Sequence, residues 1–177
     1  MRNHVRIRNL FTFCILLLVS AICHATVVER LGVAELTHSS NLVLLGQIIS
    51  LRTVLEGDQI WTIAAVLPEH TIKGRTIAAI EFRIPGGTQR VNGRTLVTKV
   101  DGVPDFKIMQ KAVFFLNSSS SRYLELTGLY QGFWKVETRN GRQLTASNEE
   151  GIVSDSSISL NEFIAQLTRI AQTEKRQ

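Results

Sequence analysis

The chain contains very little cysteine. Its two cysteines, Cys14 and Cys23, both lie among the first 25 of its 177 residues. A domain that begins after them has no thiol, which excludes a disulfide framework, a cysteine nucleophile and a thiolate metal site. A chain of about 150 residues buries roughly two-thirds of its unfolded surface and needs no covalent cross-links. We therefore expect one domain over residues 26–177.

Acidic residues are missing from the N-terminus. Three arginines and no acidic residue precede an uncharged run from Leu10 to Ile22, a pattern typical of a secretory signal peptide. The run is shorter than the roughly 20 apolar residues that cross a bilayer. Residues 1–25 are thus predicted to be a signal peptide, cleaved between Ala25 and Thr26. This predicts a periplasmic or extracellular protein with no stable membrane span after processing.

Two alternatives to cleavage at this position stay open. The apolar run could be retained as a membrane anchor, or Cys23 could be lipid-modified. Bulky Ile22 directly before the cysteine argues against the lipoprotein, because lipidation sites favour a small residue there. We therefore favour the soluble exported form.

Excess charge is small once the signal is removed. Residues 1–25 hold three of the 20 Lys and Arg residues and none of the 15 acidic ones, which leaves 17 against 15 and a net charge of +2. Nucleic-acid-binding domains instead carry clustered Lys and Arg. Nucleic acid is therefore not an expected partner.

Residues that carry catalysis or bind metals are scarce. Only His38 and His70 follow the signal, without a third ligand at metal-binding spacing. No nucleophile elbow, phosphate-binding loop or zinc-protease motif occurs, so we predict no catalytic residue, no metal and no cofactor. A hydrolase that uses loop carboxylates, either Asp101 with Asp105 or the pair at 149–150, is a remaining alternative.

Short β-favouring segments recur between Leu42 and Ala146. Turn residues separate them, notably at 57–58, 92–93 and 140–141. The run at 112–116 is apolar at every position, as in a central buried strand. At least seven strands in about 105 residues predict a mainly β fold, a small closed or partly closed antiparallel barrel.

Helical patterns occur at both ends of the predicted domain. Residues 33–36 predict a short helical turn before the first strand. Near the C-terminus, Ser159 and Glu162 form a capping box at the start of an amphipathic helix over about 157–173. Its apolar face is expected to dock on the barrel, and binding of a partner by that face is the alternative.

Two glycine-containing segments are candidates for binding a partner. Glycine lets a backbone approach another molecule closely, and aromatic residues beside a glycine can form a recognition surface or close one end of a barrel. The predicted binding residues are Pro85, Gly86, Gly87, Gln131, Phe133 and Trp134. Replacing Trp134 by alanine is expected to weaken partner binding more than it lowers the melting temperature.

Several short motifs in fixed order resemble a family of uncharacterised exported bacterial proteins. They are the segments 26–31, 35–36, 45–48, 73–74, 84–87, 102–106, 113–116 and 128–133. The resemblance implies an OB-fold or netrin-like barrel, similar in architecture to tissue inhibitors of metalloproteinases. This chain departs from those inhibitors in having no N-terminal cysteine and no disulfide. It also has Met109-Gln110 where its own family usually shows Gly-Glu.

The resemblance further implies a function. It suggests an exported, non-enzymatic binding module that inhibits or accompanies a secreted metalloprotease, with a protein as its partner. An envelope protein that recognises glycan is the main alternative, and the carboxylate hydrolase is the other.

Overall fold

A computed structural model describes residues 30–76, 78–100, 103–119, 121–147 and 158–174. The predicted signal peptide and its cleavage site at Ala25 and Thr26 lie outside the described residues. So do Asp101 and the carboxylate pair at 149–150.

Strands dominate the described residues, and each end of the domain carries a helix. In chain order the elements are α1 (Val33–Ser39), β1 (Leu42–Glu56), β2 (Gln59–Lys73), β3 (Ile80–Pro85), β4 (Gly87–Val91), β5 (Arg94–Thr98), β6 (Lys111–Ser118), β7 (Leu124–Leu126), a 3-10 turn (Leu129–Gly132), β8 (Phe133–Arg139), β9 (Arg142–Ser147), β10 (Ile158–Ser159) and α2 (Leu160–Glu174). The mainly β prediction is confirmed.

Five strands form a ring. They follow the order β1, β2, β3, β7 and β6, and β6 pairs again with β1. The pair of β3 with β7 is parallel, whereas the other pairs of the ring are antiparallel. A five-stranded, partly open barrel of this kind is the OB architecture. Strands β8, β9 and β10 continue the sheet beyond β6.

Strand β1 closes the ring by pairing on both of its sides. Residues 42–47 of β1 pair with β6, and residues between 43 and 56 pair with β2. The β1–β2 register shifts beside Gly46, which lies opposite Pro68. A Cβ on Gly46 would lie 2.8 Å from the Leu67 carbonyl oxygen, so the two backbones approach too closely for a larger residue. Pro68 therefore lies at a bulged position of the sheet, where its missing N–H is tolerated.

The core has two layers, one inside the barrel and one outside it. The interior contains Phe82 and Phe114, whose ring centroids are 5.5 Å apart. The outer layer lies between the barrel wall and the two helices, where Phe115 packs near Phe163. Alternate residues of β6 thus face the two layers, because successive strand side chains point to opposite sides. This arrangement explains why the run at 112–116 has no polar position.

The C-terminal helix docks as predicted, with a start three residues later. Its apolar face buries Leu160, Phe163, Leu167 and Ala171. The Ser159 hydroxyl accepts a hydrogen bond from the Glu162 N–H at 3.3 Å and donates one to the Glu162 carboxylate at 2.6 Å. The apolar face is therefore occupied by the chain's own barrel. Among the described residues, no helix is both long and apolar enough to cross a bilayer.

Candidate functional site

Pro85, Gly86 and Gly87 form the corner at which the chain leaves the barrel. The Gly86 N–H donates to the Ile60 carbonyl at 2.8 Å, and the Thr62 hydroxyl donates to the Gly86 carbonyl at 2.8 Å. Gly87 has a φ of +136°, and a Cβ there would lie 2.6 Å from the Thr62 hydroxyl oxygen. Glycine is therefore required by the fold at this corner.

A groove of about 540 Å³ opens beside this corner. One wall comes from β1 and β2, and the others come from the corner, the end of β5 and the loop before β6. The lining residues are Leu51, Thr53, Thr62, 84–88, 98–100 and 103–106. We call it the Pro85 groove. Its volume falls within the range of small-molecule binding sites.

A smaller pocket of about 130 Å³ adjoins the groove. The two share one wall, formed by Ile84, Pro85, Val103 and Pro104. The remaining lining residues of this pocket are Trp61, Arg83, Glu125, Leu126, Leu129 and Tyr130. We call it the Tyr130 pocket. The groove is lined by both apolar side chains and polar groups, whereas the adjoining pocket is largely apolar.

Arg83 forms a rigid side of the Tyr130 pocket. Its guanidinium carbon lies 4.2 Å from the centroid of the Trp61 ring, and its Nη2 lies 2.6 Å from Glu125 Oε1. A second carboxylate, that of Glu56, lies 3.7 Å from its Nη1. The stacking and ion pairs fix the side chain, which is only 15% exposed.

The other predicted binding segment is divided between core and surface. Gln131 is buried, and its Oε1 accepts a hydrogen bond from the Leu31 N–H at 2.7 Å. Phe133 is 1% exposed and packs against Phe106, with ring centroids 4.9 Å apart. These two side chains are therefore not available to a partner.

Trp134 also lies away from the groove. Its ring stacks on Phe163 of α2, and its Nε1 donates to the Gln131 carbonyl at 3.1 Å. Of the predicted binding residues, Pro85, Gly86 and Gly87 line the groove, and the residues of the second segment that line the adjoining pocket are Leu129 and Tyr130. In the sequence, Gly128 and Gly132 mark the 3-10 turn that contains them. Sequence alone did not indicate which residues between these glycines face outward.

The groove has few groups that could perform chemistry. Its ionisable side chains are Lys99 and Asp105, and Asp105 is 87% exposed and faces Lys107 at 3.7 Å. The Thr53 and Thr62 hydroxyls donate to backbone carbonyls. Within the part of the chain that the structure describes, no three His, Cys, Asp or Glu residues cluster as metal ligands would. Nothing in these residues indicates a catalytic activity.

A second polar cluster, not predicted from the sequence, covers the outside of the barrel. The Tyr123 hydroxyl accepts hydrogen bonds from Arg52, at 3.1 Å, and from Arg122. The Arg52 guanidinium also donates to the Glu81 carboxylate at 3.0 Å. These interactions, chiefly the hydrogen bond from Arg52, hold the pKa of Tyr123 below its ordinary value.

Three comparisons with known proteins found no match for this chain. It matches no protein-family model, and no curated protein or solved structure is significantly similar to it.

Proposed function

We propose that the protein is an exported, non-enzymatic binding module that holds a protein partner in the Pro85 groove and the Tyr130 pocket. One observation carries the proposal. An open groove of about 540 Å³ continues into a pocket where Leu129, 49% exposed, stands at the lip. An apolar patch rimmed by polar groups is a common arrangement at the surface where one protein recognises a segment of another.

The polar groups of the groove favour binding over catalysis. Thr53 and Thr62 use their hydroxyl protons to hold the corner and β4, so neither is paired with a base. Lys99 and Asp105 are both exposed, and they present one charge of each sign to an incoming segment. Such groups orient a partner but do not activate a nucleophile.

The resemblance in the sequence motifs implies a secreted metalloprotease as the partner. The protein would then act as its inhibitor or companion. With no cysteine after residue 25, it could not capture the protease zinc through an N-terminal Cys-x-Cys. Inhibition would instead depend on a segment of the protease seated in the Pro85 groove.

The test begins with the protein produced from its full-length gene in the host. The purified protein is immobilised and exposed to the host's envelope fraction, and retained proteins are identified. The proposal expects a zinc protease whose peptidase activity falls with increasing amounts of the soluble protein. Retention of no protein, together with unchanged activity of the host's exported zinc proteases, would exclude this partner.

Glycan binding is a second candidate with an observation of its own. The Tyr130 pocket lies where OB barrels bind oligosaccharides, on the face of the second and third strands. Trp61 and Tyr130 supply ring surfaces there, and Arg83 with Glu125 supplies polar groups. Retention of the protein on purified cell-wall polymer, lost in a Tyr130→Ala variant, would favour this function.

A further inference from the structure

The β4–β5 hairpin forms a two-stranded sheet outside the barrel, and β5 is its free edge. Each residue of β5, Arg94–Thr98, is exposed. Among the described residues, no strand pairs with the outer side of β5, and no hydrogen bond reaches its backbone from that side. An edge of this kind can accept a strand from another chain.

The register shows which backbone groups are free. The turn at Asn92 and Gly93 has positive φ at both residues, 50° and 76°, so the flanking pair Val91 and Arg94 exchanges both hydrogen bonds. Hydrogen-bonded and non-hydrogen-bonded pairs then alternate along the ladder. The N–H and C=O groups of Thr95 and Val97 therefore point away from β4.

The barrel holds this edge in place. The Thr53 hydroxyl lies 2.8 Å from the Thr88 carbonyl oxygen and 2.7 Å from Gln89 Oε1. Thr62 anchors the start of the hairpin through the Gly86 carbonyl. Because the hairpin is fixed before a partner arrives, strand addition costs less ordering entropy than on a mobile loop.

The positive charge of the hairpin indicates which kind of partner segment would pair with β5. Residues 86–100 contain Arg90, Arg94 and Lys99 and no acidic residue. None of the three takes part in an ion pair within the described part of the chain. Pairing of β5 with a second copy would bring six cations together, which disfavours self-association through this edge.

We infer that β5 captures an extended acidic segment of the protein partner by antiparallel or parallel strand addition. This inference rests on the proposed function and specifies how the partner docks. Thr98, Lys99 and Val100 form a wall of the Pro85 groove. A segment paired with Thr95 and Val97 needs only about three more residues to reach that wall, at roughly 3.3 Å per residue.

The probe is a capped acidic peptide, Thr-Glu-Val-Glu-Val-Glu-Val-Thr, with the corresponding lysine peptide as its charge control. Binding is measured by titration, and amide hydrogen exchange of Thr95 and Val97 is followed in the unmodified protein. We expect the acidic peptide to bind and to slow exchange at both amides. The lysine peptide should bind at least about tenfold more weakly.

Val97→Pro and Val97→Ala are the matched variants. Proline removes the outward N–H but no hydrogen bond to β4, so the hairpin is retained. Binding of the acidic peptide should fall at least about tenfold with proline and stay within about threefold with alanine. The double variant Arg90→Glu and Arg94→Glu should also bind the acidic peptide more weakly.

The inference would be overturned if the acidic peptide failed to bind, if the lysine peptide bound equally well, or if Val97→Pro bound the acidic peptide as tightly as the unmodified protein. Peptide protection in the Pro85 groove without protection of Thr95 and Val97 would also overturn it, while leaving the proposed function intact. Conversely, slowed exchange at β5 with no retained envelope protein would count against the proposed function alone.

Discussion

The ring of Trp134 in β8 stacks on the ring of Phe163 in α2, with centroids 4.6 Å apart and planes at 23°. This contact joins the sheet extension to the C-terminal helix, in the apolar layer outside the barrel. Trp134 is therefore assigned to the fold, although its place two residues after Gly132 in the sequence suggested a binding role.

Replacement of Trp134 by alanine should destabilise the protein. Losing the stacked ring and the hydrogen bond to Gln131 should lower the free energy of unfolding by about 2–4 kcal/mol, measured by chemical denaturation. Trp134→Phe, which keeps a ring on Phe163, should cost about 1 kcal/mol. Unchanged stability of Trp134→Ala with a selective loss of partner binding would instead assign Trp134 to the binding site.

Replacement of Leu129 by glycine should stabilise the protein. Leu129 has a φ of +58°, a left-handed conformation in which a leucine is strained. Glycine adopts it without strain, so the free energy of unfolding should rise by about 1 kcal/mol. The same change removes the apolar lip of the Tyr130 pocket and should weaken partner binding. A more stable variant that binds the partner unchanged would contradict the role given to this side chain.

Arg52 should control the ionisation of Tyr123. The chain has two tyrosines, so a Tyr130→Phe variant leaves Tyr123 alone for titration by ultraviolet absorbance. The Arg52 hydrogen bond lowers the pKa of Tyr123, and Arg52→Ala should therefore raise its titration midpoint. An unchanged midpoint would show that Arg52 does not contact the hydroxyl in solution.

Glu174 should stabilise the protein at neutral pH but not in acid. Its carboxylate accepts from Lys73 Nζ at 3.0 Å, and the same ammonium donates to the Thr37 and His38 carbonyls at the end of α1. The Lys73 hydrogen bond holds the pKa of Glu174 below its ordinary value.

The sign of the pH effect follows from that lowered pKa. The folded state favours the ionised carboxylate, so its contribution is present above the ordinary glutamate pKa and is lost as pH falls through the lowered one. Glu174→Gln should therefore melt at a lower temperature than the unmodified protein at about pH 7, with the gap closing towards about pH 3. A gap that is constant with pH would contradict the account.

Features set by short-range sequence could be predicted. Asn92-Gly93 and Asn140-Gly141 lie in two-residue turns with positive φ throughout, which few other residue pairs allow. Ser159 marks the start of α2, because its hydroxyl satisfies a backbone N–H that the first turn leaves unpaired. The groove corner at Pro85–Gly87 was also visible, since proline and two glycines end a strand.

Features set by long-range contacts could not be predicted. The hydrogen bond from Leu31 to Gln131 spans 100 residues, and it turns a polar residue of a glycine-rich loop into a buried anchor. Arg52 and Tyr123, 71 residues apart, meet only because β3 and β7 pair in parallel. Leu129 lies in the 3-10 turn after β7, and nothing in the local sequence shows that its side chain is exposed while that of Gln131 is buried.

The most direct test of the central claim compares two leucines of equal exposure. Leu129 at the Tyr130 pocket is 49% exposed, and Leu67 on β2, outside both cavities, is 50% exposed. Affinity for the retained envelope partner is measured for Leu129→Ala and Leu67→Ala by calorimetry. The account predicts a loss of about tenfold for Leu129→Ala and less than about twofold for Leu67→Ala. Equal affinities for the two variants would contradict it.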